Sequence, residues 1–142
     1  EEKAKPKFST AELEKIVDIS GKHVLVVDDN QLNLKVAGML LQKYGLVVEE
    51  VSSGFACLEN IKQGKTYDLI LLDDMMPKMS GVETLKKLKE DPNFAIPTIA
   101  LTANAISGMK EKYLSDGFTD YLPKPIERKE LDKVLKKYLG NL

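Results

Sequence analysis

Four acidic residues stand in two pairs, Asp28-Asp29 and Asp73-Asp74, and each pair directly follows a short apolar run, residues 24–27 and 69–72. Thr102 closes a third run and Lys124 follows a fourth. Carboxylates brought together repel, and two charges about 4 Å apart cost roughly 1–4 kcal/mol in a partly solvated site. A divalent cation offsets that repulsion. Oxygen-only ligands select a hard ion, and a few carboxylates with several waters suit Mg²⁺. Zinc would need nitrogen or sulfur, and the single His and single Cys stand elsewhere in the chain. A metal, an ammonium and a hydroxyl together suit a phosphoryl group, because each neutralises or bonds a different oxygen. A carboxylate held in line with that group becomes an acyl phosphate, which is covalent catalysis by Asp. No glycine-rich phosphate loop is present, neither G-x-x-x-x-G-K-[ST] nor G-x-G-x-x-G.

The elements that carry these residues alternate. Residues 23–27, 46–51, 67–72, 97–101 and 119–122 read as strands, rich in β-branched and aliphatic side chains. Between them lie helical stretches. Asn30 caps one that runs to Tyr44, with Leu32, Val36, Leu40 and Leu41 on one side, and Gly45 stops it. The others span residues 55–63, then a stretch marked by Val82, Leu85 and Leu88 and closed by Asp91-Pro92, then a weaker 106–115. Pro125 opens the last, with Leu131, Val134, Leu135 and Tyr138 at i, i+3, i+4 and i+7. Single helices between strands imply right-handed βαβ units and a parallel sheet covered on both faces. The expected fold is a doubly wound α/β domain, whose ligand crevice lies at the carboxyl ends of the strands. The acidic pairs, Thr102 and Lys124 all fall there.

The 142 residues suit one domain. Residues 1–21 read as linker plus a short helix, which Ser9 and Glu12 cap and which connects to an upstream region; residues 22–142 read as the domain. The net charge of −1 gives no basic surface for nucleic acid. No apolar run reaches the roughly 20 residues of a membrane helix, and the first residues do not read as a signal peptide. One cysteine, Cys57, cannot close an internal disulfide, which points to a reducing, cytoplasmic setting. It reads as a small core residue.

As a set, residues 24–30 (VLVVDDN), 68–81 (DLILLDDMMPKMSG), 97–105 (PTIALTANA) and 120–126 (DYLPKPI) resemble response-regulator receiver domains over about residues 22–139. The resemblance implies a flavodoxin-like sheet in the order 2-1-3-4-5. It implies that Asp73, four residues before Pro77, accepts a phosphoryl group from a phosphohistidine. It implies Mg²⁺, with Mn²⁺ able to substitute, on Asp29, Asp73 and the backbone carbonyl of Met75, with Asp28 reaching the metal through water. Thr102, Ala103 and Lys124 would bind the phosphoryl group. Thr102 and Tyr121 would form the switch that reports it on the face of helix four, strand five and helix five. Met75 and Asn104 would tune hydrolysis, and Met75, unable to orient water, implies a long-lived phosphoaspartate. The implied partner is a histidine kinase or histidine phosphotransfer domain. Phosphorylation-dependent homodimerisation also fits the family, and direct nucleic-acid or membrane contact does not follow from it. The motifs look most like receivers of hybrid sensor histidine kinases, with a free-standing regulator as the alternative.

Some positions depart from the common pattern. Ser80 stands where Asp is frequent and touches only the cap of the following helix. Asp74 stands where apolar residues are common, and reads as solvated surface or as a tuner of the metal. Leu32 and Val36 read equally as core or as a docking patch, and His23 as structural. The rival enzyme, a Mg²⁺-dependent phosphohydrolase, generally needs an acid two residues after its nucleophile, where Met75 stands. The isolated domain is therefore expected to be no enzyme beyond its own phosphorylation and dephosphorylation. A flavin module would have its phosphate repelled by Asp28 and Asp29. A receiver that has lost phosphorylation does not fit an intact acid set.

Overall fold

Successive side chains of a strand point to opposite faces, and in the three central strands both faces are buried. The computed structural model describes residues 19–103 and 109–140. The strands are β1 (His23–Val27), β2 (Val47–Val51), β3 (Leu69–Asp73), β4 (Thr98–Thr102) and β5 (Asp120–Pro123). The helices are α1 (Gln31–Gln42), α2 (Gly54–Lys62), α3 (Gly81–Leu88), α4 (Met109–Ser115) and α5 (Arg128–Tyr138). All strand pairs are parallel, in the order β2-β1-β3-β4-β5, as expected.

Val24, Val26, Leu69, Leu71, Ile99 and Leu101 send one set of side chains to a core shared with Leu34, Ala37 and Leu41 of α1 and Leu131, Val134 and Leu135 of α5. Leu25, Val27, Ile70, Leu72 and Ala100 send the other set to Cys57 of α2, Leu85 and Leu88 of α3 and Tyr113 of α4. Each buried aliphatic side chain contributes about 1.5–3 kcal/mol, so a one-residue slip of any strand would exchange its two faces and lose both sets of contacts. Ile19 is buried in the first core, although it lies on the linker side of the boundary read at residues 21 and 22. The expected helix before it lies outside the described residues.

Two expectations change. The apolar stripe of α1 is Leu34, Ala37 and Leu41; Leu32 is 68% exposed and Val36 38% exposed. Leu32 and Val36 are therefore not core, because the stripe that meets the sheet starts two residues later than the one read from sequence. Helix α3 ends at Leu88, with Lys89 as its C-cap, three residues before Asp91-Pro92. At its start Ser80 forms a full capping box with Glu83, so the Ser at this position does act on the cap. No helix of the described residues is long and apolar enough to cross a membrane.

Candidate functional site

Register fixes the site. Val27 is level with Leu72, Asp73 with Leu101, and Thr102 with Pro123. Residues 28, 73, 102 and 124 therefore leave adjacent strands at one edge of the sheet. Backbone bonds hold this edge: Asp74 N–H donates to Leu101 O at 3.0 Å, and Lys124 N–H to Thr102 O at 2.8 Å.

One carboxylate oxygen each from Asp28, Asp29 and Asp73 lies within 4.8 Å of the others. Asp28 is fully buried and Asp73 is 1% exposed, while Asp29 faces solvent. Asp28 Oδ1 accepts the Asn30 N–H at 2.9 Å. Asp73 Oδ1 accepts the Met75 N–H at 3.3 Å and Lys124 Nζ at 2.9 Å. Asp28 Oδ2 is buried with no hydrogen bond, and Lys124 Nζ stands 3.7 Å away. A buried carboxylate oxygen left in that state costs free energy unless something binds it. The opening at Asp29, the orphaned Asp28 oxygen and an all-oxygen donor set fit a hard divalent cation.

The electrostatics agree. Burial pushes the Asp73 carboxyl up, and the Asp28 charge adds to this; the Lys124 bond pulls it down, with the net value at about 6. Burial pulls the Lys124 ammonium down, but the bond to Asp73 and the charges of Asp73, Asp28 and Asp74 outweigh it. One ammonium between two carboxylates leaves net negative charge at the rim.

Thr102 is fully buried, and Ala103 beside it is exposed. Tyr121 is half-buried on β5. Met75 is 70% exposed, whereas Met76 and Met79 are packed inward. Asn104 lies outside the described residues. His23 opens β1 at the opposite end from the acids, its N–H donating to Asp68 Oδ2 at 2.8 Å. Burial pushes the Cys57 thiol up to about 12, which keeps it protonated and inert as a core residue.

A family model for the response regulator receiver domain matches residues 24–136. The chain belongs to the response regulator receiver domain family. The sensor kinase BarA of Escherichia coli K12 is 43% identical over 116 residues, which are 81% of this chain and 12% of BarA. The sensor histidine kinase GacS of Pseudomonas protegens is 34% identical over 139 residues, 95% of this chain and 15% of GacS. This receiver therefore spans a small fraction of the curated relatives it matches. In fold it resembles the receiver domain of sensor histidine kinase PA1611 from Pseudomonas aeruginosa, with TM-score 0.75 and 34% identity. That likeness covers 86% of this chain and all of the other, whose active-site cleft holds a magnesium ion.

Two residues of this receiver escape the sequence reading. Asp74 is neither solvated surface nor part of the acid cluster: it is half-buried, and its Oδ2 accepts the Tyr113 hydroxyl at 2.6 Å. The Tyr113 oxygen also lies 2.5 Å from Thr102 Oγ1. Its ring stacks on Tyr121 with centroids 6.2 Å apart and planes at 24°. A tyrosine directly after the charged run Lys110-Glu111-Lys112 was the available signal, and it names no partner.

Proposed function

We propose that this receiver takes a phosphoryl group from a phosphohistidine onto Asp73, with Mg²⁺ held by Asp28, Asp29, Asp73 and the Met75 carbonyl. The observation that carries this reading is the arrangement at Asp73. It is a buried carboxylate bonded to a lysine, beside an orphaned Asp28 oxygen. When bound, the metal supplies positive charge that offsets the phosphoryl oxygens; Mn²⁺ meets the same oxygen donors.

The protein's own residues do the rest. Lys124 pairs with Asp73 before transfer and passes to a phosphoryl oxygen after it, so its charge is used in both states. Asp73 uses its free oxygen as the nucleophile, because Oδ1 is occupied by Lys124 and by the Met75 N–H. The new O–P bond replaces the N–P bond of the phosphohistidine, and the imidazole leaves. Ala103 leaves room for the phosphoryl group, the Thr102 hydroxyl donates to it, and Tyr121 follows Thr102 inward. Met75 offers no group to orient an attacking water, so the acyl phosphate persists. Asn104 is the second residue assigned to that tuning.

The donor is a histidine kinase or histidine phosphotransfer domain, and the parent protein is a hybrid sensor kinase. BarA and GacS, both sensor kinases, support this context. Exposed Leu32 and Val36, beside Lys124 and Ile126, suit docking of that donor. We assign the domain proper to residues 22–142 with Ile19 packed into its core, the residues before it to an upstream connector and the setting to the cytoplasm.

Intact mass after acetyl phosphate and Mg²⁺ treatment tests the reading. Wild type should gain one phosphoryl group and Asp73→Asn none. Uptake by the variant, or none by wild type, would end it.

A further inference from the structure

Tyr113 has one hydroxyl proton and two partners, Asp74 Oδ2 and Thr102 Oγ1. The Tyr113 hydroxyl donates its proton to Asp74 Oδ2. The phenol oxygen is then the acceptor in the second bond. Thr102 has a single hydroxyl proton, and it points at Tyr113.

A phosphoryl group on Asp73 presents only acceptor oxygens. Thr102 can donate to one of them only by releasing Tyr113, or by Tyr113 turning its own proton from Asp74 to Thr102. Either route breaks a bond of a chain whose Thr102 and Tyr113 are buried and which is anchored on the Asp74 carboxylate, where bonds to charged groups are strong. Tyr113 is also held by its ring, stacked on Tyr121 and edge-on to Phe118 at 6.0 Å and 84°. The same side chain therefore touches the reporter hydroxyl on β4 and the aromatic residue on β5.

We propose that Asp74 and Tyr113 are positioning residues that latch Thr102 in the resting state, so that phosphorylation must break the Thr102–Tyr113 bond and disturb the Tyr113–Tyr121 stack. This rests on Asp73 as the phosphoacceptor. The latch sets how costly the switch is, and through Tyr121 it carries the release to the α4–β5 surface.

Beryllofluoride with Mg²⁺, bound to the whole 142-residue chain and followed by fluorine NMR, tests it. Tyr113→Phe keeps the ring and removes the hydroxyl. It should bind beryllofluoride about three- to tenfold more tightly than wild type, the worth of one ordinary hydrogen bond. Asp74→Ala frees the Tyr113 proton for Thr102 and should act in the same direction. Asp74→Asn keeps an accepting oxygen and should act less; equal effects of Ala and Asn would assign the result to charge and overturn the latch. In a Thr102→Ala background, Tyr113→Phe should leave beryllofluoride affinity unchanged, although the lost Asp74 bond still lowers the melting temperature; an affinity gain that persists without the Thr102 hydroxyl would overturn the latch. Unchanged or weaker binding by both Tyr113→Phe and Asp74→Ala, with normal binding by wild type, overturns the latch and leaves the phosphoacceptor intact. Absence of binding by wild type, or equal binding by Asp73→Asn, overturns the phosphoacceptor and the latch together.

Discussion

Lys124 and Asp73 are 51 residues apart in the chain and 2.9 Å apart at the sheet edge, with Lys124 20% and Asp73 1% exposed. The same ammonium reaches Asp28 at 3.7 Å. Lys124→Ala removes the one cation paired with these two carboxylates among the described residues, so the metal-free protein should lose about 2 kcal/mol in urea unfolding, less than a fully buried pair because the lysine is partly wet. Mg²⁺ should still bind and should recover much of that loss. Beryllofluoride affinity should fall tenfold or more, the worth of a charge-assisted bond. Unaltered beryllofluoride binding would remove Lys124 from the phosphoryl site.

Asp73→Asn should make the metal-free protein more stable at neutral pH. The folded carboxyl sits near 6 against an ordinary 3.8, so the fold disfavours its charge. One pKa unit corresponds to about 1.4 kcal/mol, and solvent at the open side screens part of it. A gain of about 1 kcal/mol in urea unfolding is expected, alongside loss of phosphoryl uptake. A destabilised variant would show that the Lys124 bond outweighs burial.

The same shift sets two opposite pH trends. A carboxyl whose folded value is raised costs stability fully above about 6, and the cost is relieved as pH falls toward the unfolded value near 4. From this group, metal-free stability should rise between pH 7 and pH 5. Mg²⁺ affinity should fall over the same window, because the proton takes the carboxylate the cation needs. Calorimetric Mg²⁺ titrations at several pH values would check the second trend. A flat profile would remove Asp73 from the ligand set.

The polar residues at the strand ends were legible because residues 24–27, 69–72 and 99–101 are apolar throughout, so Asp28, Asp73 and Thr102 stand out against their runs, as Lys124 does after Leu122-Pro123. Helix α5 was legible for the related reason that Leu131, Val134, Leu135 and Tyr138 recur at helical spacing after Pro125. The stripe of α1 was misread because Leu32 and Val36 are as apolar as Leu34 and Ala37; only the docked orientation of the helix separates them. Asp74 and Tyr113 were illegible for a different reason. Their bond spans 39 residues and joins a loop to a weakly patterned helix, and neither residue type alone implies a partner. Strand limits moved by one or two residues, as at β3, where the ladder includes Asp73 and begins at Leu69.

Gly81 shows how tightly the backbone behind Asp73 is packed. A Cβ there would collide with the Asp73 carbonyl oxygen and come within 2.9 Å of Asp74 Cα. Both are backbone, and Gly81 N–H also donates to Asp74 O at 3.2 Å. Gly81→Ala can be accommodated only by moving the segment that carries Asp73 and Met75. It should cost about 2–3 kcal/mol in urea unfolding and should weaken Mg²⁺ binding as well. Gly64→Ala is the matched control. Its φ of +94° makes an added side chain cost about 1 kcal/mol, but no atom lies within 4 Å and the site is remote, so Mg²⁺ affinity should hold. Equal Mg²⁺ affinity in the two variants would mean that the Asp73 carboxylate keeps its place when the loop behind it is pushed.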